Sequence, residues 1–279
     1  MPHLKLLYLD PPPLLSYPNI FKTIIGQPYH DKQPDYLIHM DEETGQTQSF
    51  REVKKRANDL AAALASPMGQ GELALRVEDG EIIGVMGNNS SDYVVLVLAL
   101  LKIVVPFVPI LHYSTPSELK HALKLTKAMR LFTTPQKLSK FLPVKQELNI
   151  AAKNVYTTNG KLSGYGSLDD LFDKTTRNGN PHKKPHMVPK DTPAFILFSS
   201  GTTSLPKAAM ISHGNLLHAF RQNIIVVEDE TFIPRPVMPA PTNGLFTELA
   251  FVLVNHIFGL HVYCIWAFMT PTCFIMFRK

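Results

Sequence analysis

From Ser49 onward the apolar residues Val53, Ala57, Leu60, Ala61 and Leu64 return at steps of three and four, the spacing of one helical face. Ser49 and Glu52 stand three apart at its start, where each side chain can take the other's backbone N–H, so an amphipathic helix with a capping box is predicted. The period then changes. "EIIGVM" (81–86) is a continuous apolar run that reads as a buried strand, "GNNSS" turns the chain, "DYVVLVLALLK" reads as an apolar helix, and "VVPFVPI" follows as a second strand. Thr115 and Glu118 repeat the capping-box spacing with Pro116 in the first turn, opening "PSELKHALKLTKA", which leads to a third strand, "RLFTT". Right-handed crossovers place such strands in one parallel sheet covered by helices.

Beyond Thr134 the pattern weakens. A helix-like piece (136–149), a short strand near Val155 and the acidic "SLDDLF" lead to "KTTRNGNPHKKPHMVPK" (174–190), a polar stretch without periodicity that is predicted to be a surface linker. His182 and His186 within it have a spacing found in zinc sites, but no Cys or carboxylate cluster stands near, and no metal ligand is assigned. "AFILF" and "AAMIS" then read as two buried strands around "SSGTTSLPK", before the helix "HGNLLHAFRQNII" with Ser212 as its cap. His213 and Asn215 are expected to start that helix rather than touch substrate, and Tyr263, Trp266 and Phe268 to pack helices.

The chain's 279 residues, 45% of them hydrophobic, suffice for one large or two ordinary globular domains. The net charge of +5 comes from Lys and Arg spread along the sequence, with no arginine-rich block and no aromatic interleaving, so no nucleic-acid partner is expected. Cys264 and Cys273 form no disulfide framework and have no metal-ligand spacing; they read as core residues in a reducing compartment. "MPHLKLLYLDPPPLL" is too broken for a secretory leader. Between Glu248 and Arg278 there is no charged residue, so residues 249–277 could span a bilayer and anchor the protein. Asn255, His256, His261 and Pro271 inside that run weigh against a span.

"SSGTTSLPK" needs a chemical reason, because it interrupts two apolar runs with small hydroxylated residues and glycine. Such a run offers backbone N–H groups and hydroxyls to several phosphate oxygens at once, and Lys207 can add a mobile cation. The spacing is not GxxxxGK[ST], so the P-loop NTPase reading fails. An anion-holding loop and an ordinary Ser/Thr-rich turn both remain open on the residues alone.

"FSSGTTSLPKAAMISHGNL" resembles the phosphate-binding signature of the adenylate-forming superfamily, which includes acyl-CoA and aryl-CoA synthetases, coumarate-CoA ligases, luciferases and non-ribosomal adenylation domains. Residues 80–134 and "NHIFGLHVYCIWAFMTPTCFIMF" are similar to two further stretches of that family, in order. The resemblance implies an α/β fold of parallel-sheet layers with flanking helices, here an incomplete large N-terminal domain over 35–279 after an N-terminal extension (1–34). It implies that Ser199, Ser200, Gly201, Thr202 and Thr203 grip the phosphates of ATP, that Lys207 is catalytic beside the leaving pyrophosphate, and that His256 lines the acid pocket. The implied reaction joins a fatty or phenylpropanoid-type carboxylic acid to ATP as an acyl-adenylate and then to CoA as a thioester, with Mg2+ as cofactor, in the cytoplasm; peroxisomal or membrane-associated locations stay open. Ser204, Ala208, Ile103 and Thr270 stand where the family tends to have glycine. The adenine-holding Tyr-Gly-x-Thr-Glu segment with its magnesium-binding Glu, the ribose-binding Asp, the hinge and the C-terminal domain with its catalytic Lys are not in this sequence. Incomplete turnover is therefore expected, and the alternative is a non-catalytic nucleotide-binding chain.

Overall fold

The computed structural model describes residues 17–26, 34–66, 73–178, 187–199, 206–228, 245–269 and 271–277. Its strands are β1 (Tyr17–Pro18), β2 (Leu37–Asp41), β3 (Thr47–Ser49), β4 (Ile83–Met86), β5 (Phe107–Ile110), β6 (Arg130–Thr133), β7 (Val155–Thr157), β8 (Gly166–Ser167), β9 (Met187–Val188), β10 (Pro193–Ser199), β11 (Lys207–Ser212), β12 (Phe246–Ala250) and β13 (Thr272–Met276). Its helices are α1 (Ile20–Ile24), α2 (Phe50–Ala65), α3 (Ser91–Ile103), α4 (Pro116–Thr126), α5 (Pro135–Glu147), α6 (Leu168–Asn178), α7 (His213–Glu228) and α8 (Ile257–Cys264).

Seven strands form one sheet in the order β11-β10-β5-β4-β6-β7-β8, parallel except that β11 turns back on β10. Four strands form a second sheet, β12-β13-β2-β3, in which only β3 runs antiparallel to its neighbour. Both capping boxes are made: Glu52 N donates to Ser49 Oγ at 3.2 Å while Ser49 N donates to Glu52 Oε2 at 2.7 Å, and Thr115 and Glu118 do the same for α4. α3 is buried from Tyr93 to Ile103, which is why its sequence is apolar around the whole circumference rather than along one stripe. It packs on α1, α2 and α8 within one core, while α4 and α5 cover the other face of the seven-stranded sheet. Ile20, Phe21, Ile24 and Ile25 of the N-terminal extension belong to the first core.

Several sequence expectations change. Residues 249–277 do not form a span: they are the end of β12, the short α8, a 3-10 turn and β13, a strand–helix–strand unit with β12 parallel to β13. No helix among the described residues is long and apolar enough to cross a membrane. The segment's lack of charge reflects burial of Leu260, Cys264, Phe268 and Phe274 in the core. The linker assigned to 174–190 is shorter, because α6 runs to Asn178 and Met187–Val188 pairs with β1; His182 and His186 lie outside the described residues. The hairpin of β2 and β3 went unpredicted, its turn carried by "DEETG". β11 is not buried: Lys207, Ala208, Ala209 and Met210 are exposed on the sheet's edge. The left-handed position ahead of β5 is Val104, at φ 62°, not Ile103.

Candidate functional site

β10 starts in the core at Ala194, Phe195 and Ile196 and emerges at an exposed Ser199. Its register places Ser199 opposite Lys207, the first residue of β11, and Ser199 Oγ donates to the Lys207 carbonyl at 3.5 Å. The strand ladder therefore holds both ends of the small-residue loop side by side, as a hairpin. Ser200, Gly201, Thr202, Thr203 and Ser204 lie outside the described residues, as does Thr270. Ala208 sits in ordinary extended pairing opposite Phe198, so its Cβ is tolerated there. His121 on α4 donates through Nε2 to the Pro206 carbonyl at 3.1 Å, and its ring lies 6.3 Å from that of Phe198. A carbonyl only accepts, which fixes the Nε2–H form of this imidazole.

The second predicted element comes to the same end of the sheet. β5 and β10 run parallel with Phe195 opposite Phe107, so Ile110 and Ser199 both mark carboxyl ends. Asn255 Nδ2 donates to the Ile110 carbonyl at 3.2 Å. The next residue, His256, caps α8 by accepting the Phe258 N–H on Nδ1 at 3.3 Å. With Nδ1 as acceptor, the neutral ring carries its proton on Nε2. His256 is exposed, and so are Ile257 and Phe258 beside it. In parallel α/β sheets ligands bind outside the carboxyl ends of the strands.

Asn89, which sequence reasoning passed over as part of a turn, fastens this region. Its Nδ2 donates to the carbonyls of Ala250 and Val252 at 2.7 and 2.8 Å, and its Oδ1 accepts from Val254 N at 2.9 Å. One buried amide at the carboxyl end of β4 thus ties the 250–254 segment of the second sheet to the first. The available signal was the doubled asparagine directly after a buried strand.

Two small cavities lie elsewhere along the carboxyl edges. One of about 230 Å³ is lined by His39, Gln48, Ser91 and Asp92 among others, and one of about 200 Å³ by Asn88, Thr134 and Lys137 among others; neither includes Ser199, Lys207 or His256. Beside the first, Arg56 NH1 donates to Gln48 Oε1, so Ser91 Oγ, 2.6 Å from the same oxygen, must donate too and must accept from His39 Nδ1 at 2.9 Å. Burial and then the Arg56 charge push the His39 imidazole down to about 3, keeping it neutral. His213 is likewise lowered to about 4 by burial, and its Nδ1 accepts the Ile20 N–H. Ser212 and Asn215 cap α7 reciprocally, as expected for helix-start residues. Cys264 and Cys273 are buried and free, the former pushed well above the usual thiol range by burial.

Comparison with known proteins gives the family whose description is AMP-binding enzyme, matched over residues 28–279. The chain is 28% identical to an acyl-CoA ligase, sidI, of Beauveria bassiana over 64% of its own length and 30% of that protein. It is 30% identical to the medium/long-chain-fatty-acid–CoA ligase FadD6 of Mycobacterium tuberculosis, over 74% of this chain and 32% of that one. A red-emitting luciferase from Phrixothrix hirtus superposes with TM-score 0.74 at 18% identity, over 98% of this chain and 49% of the luciferase. The chain thus spans about a third of these ligases and half of the luciferase.

Proposed function

Because the chain belongs to the AMP-binding enzyme family, we propose that it serves ATP-dependent activation of a carboxylic acid as an acyl-adenylate, followed by thioester formation with CoA. The observation that carries this reading is the hairpin closed by Ser199 and Lys207 at the carboxyl edge of a parallel sheet. Ser199, Ser200, Gly201, Thr202 and Thr203 would supply donors to the triphosphate. Lys207, exposed at the exit of the loop, would offset the charge that gathers on departing pyrophosphate. His256, with Nε2–H outward and Phe258 exposed beside it, would border the acid, the proton directed at the carboxylate and the ring at an apolar body. The relatives named for fatty acyl chains favour an acid of that kind. Mg2+ accompanies ATP in this chemistry. The described residues hold no cluster of three or more His, Cys, Asp or Glu that could bind it.

Titration calorimetry with ATP, paired with a pyrophosphate-release assay over fatty and phenylpropanoid acids, tests this reading. ATP binding is the outcome expected; pyrophosphate release would establish catalysis, and absence of ATP binding would remove the reading.

A further inference from the structure

We propose that the layer formed by α4 and α5 is a docking surface for an anionic lipid bilayer. The chain's cations are not evenly spread, and one contiguous stretch carries the surplus. Residues 116–154 hold eight of the chain's 28 lysines and arginines but two of its 23 acids, a surplus of six against +5 for the whole chain, so everything else is close to neutral.

The two helices lie side by side on one face of the seven-stranded sheet, because Leu119 and Leu123 of α4 and Leu138, Phe141 and Val144 of α5 point into the same core. An ion pair between Lys120 and Glu147 joins them. The polar sides of both helices consequently face outward together. Arg130 is committed to Glu81, and Lys145 lies over the Tyr165 ring. Lys124, Lys127, Lys137, Lys140 and Lys153 form no ion pair among the described residues. Leu125, Met129 and Leu142 stand among them at 51%, 42% and 39% exposure.

That combination selects the partner. A solvated basic face has no use for exposed leucines, and a nucleic-acid groove would call for arginine forks and stacking aromatics. Ammonium groups around aliphatic side chains match a bilayer surface, the lysines meeting anionic headgroups and the leucines entering the acyl boundary. The surface is peripheral, and needs no spanning helix.

The test is co-sedimentation of the 279-residue chain with phosphatidylcholine vesicles, with and without phosphatidylserine, at low and high salt. Binding should require phosphatidylserine and fall with salt. The triple variant K124Q/K127Q/K140Q should bind roughly a hundred-fold more weakly, about five-fold per lysine. K22Q/K54Q/K55Q changes the net charge equally on the far side of the sheet and should bind as wild type, provided thermal melts show all three proteins folded. L125S/L142S should remove what binding survives at high salt. Equal losses in the two triple variants, vesicle binding without phosphatidylserine, or retention on duplex DNA with none on vesicles would each overturn the proposal.

Discussion

Replacing Asn89 by alanine removes three hydrogen bonds at once at a place closed to bulk solvent, since Asn89 is 1% exposed and Ala250 and Val254 are fully buried. A net contribution of about 1 kcal/mol per bond gives ~3 kcal/mol, and the stranded Val254 N–H and Ala250 carbonyl raise the expected cost to about 3–5 kcal/mol. That is a large part of the ~5–15 kcal/mol that holds a domain together. Urea unfolding of the purified chain would measure it. Hydrogen exchange adds a local reading: Val254 should lose protection while Val85 and Val108, in the parallel ladder, keep theirs relative to the lowered global stability. Asn89→Asp sharpens the test. An ionised carboxylate would face two carbonyls, whereas the protonated acid can donate to one, so the folded-state pKa of the new group is raised. Stability lost at neutral pH should therefore be recovered in part as pH falls through that raised pKa. An alanine variant within about 1 kcal/mol of wild type, or an aspartate variant whose deficit does not depend on pH, would refute the account of Asn89 as the fastener between the sheets.

Three further outcomes follow from other parts of the fold. His39 and His213 are held neutral with depressed pKa values of about 3 and about 4, so the unfolded chain binds their protons first; stability is whole above pH ~6.5 and falls as pH drops toward 4, by about 3 kcal/mol for each histidine, and His213→Gln should flatten that slope in an acid-unfolding series. Val104→Gly relieves a left-handed β-branched residue worth about 1–2 kcal/mol while losing a buried side chain, so it should lie within about 1 kcal/mol of wild type, whereas Val105→Gly, without that relief, should cost at least ~2 kcal/mol more in the same urea assay. Ser49→Ala opens the capping box of α2 and should lower stability by about 1 kcal/mol, seen as a fall of roughly 2–4 °C in the thermal midpoint.

Much of the architecture was legible because local signals and tertiary burial agree. Val53, Ala57, Leu60, Ala61 and Leu64 are all buried on α2, and the continuous apolar runs of β4 and β5 are central parallel strands covered on both faces. The small-residue run located the candidate site for a different reason: no packing role explains six hydroxyl-bearing or glycine residues between apolar strands. What stayed hidden depends on partners distant in sequence. Asn89 reaches residues 250–254 and Asn255 reaches Ile110, connections that no short-range pattern announces. The missing charges of 249–277 were ambiguous because a helix buried in a core and a helix in lipid face the same lack of water. The basic surplus of 116–154 was legible in the sequence, but its gathering on one outward face follows only from α4 and α5 burying their apolar residues in the same core.

The most direct test of the nucleotide reading is an amide-resolved NMR titration of the isotopically labelled chain with ATP. Bound phosphates should shift the amides from Ser199 to Lys207 first and most, with the Lys207→Gln variant needing at least ten-fold more nucleotide for the same shift. Unmoved amides across that hairpin at millimolar ATP, in a chain whose other resonances remain those of the folded protein, would contradict the central claim.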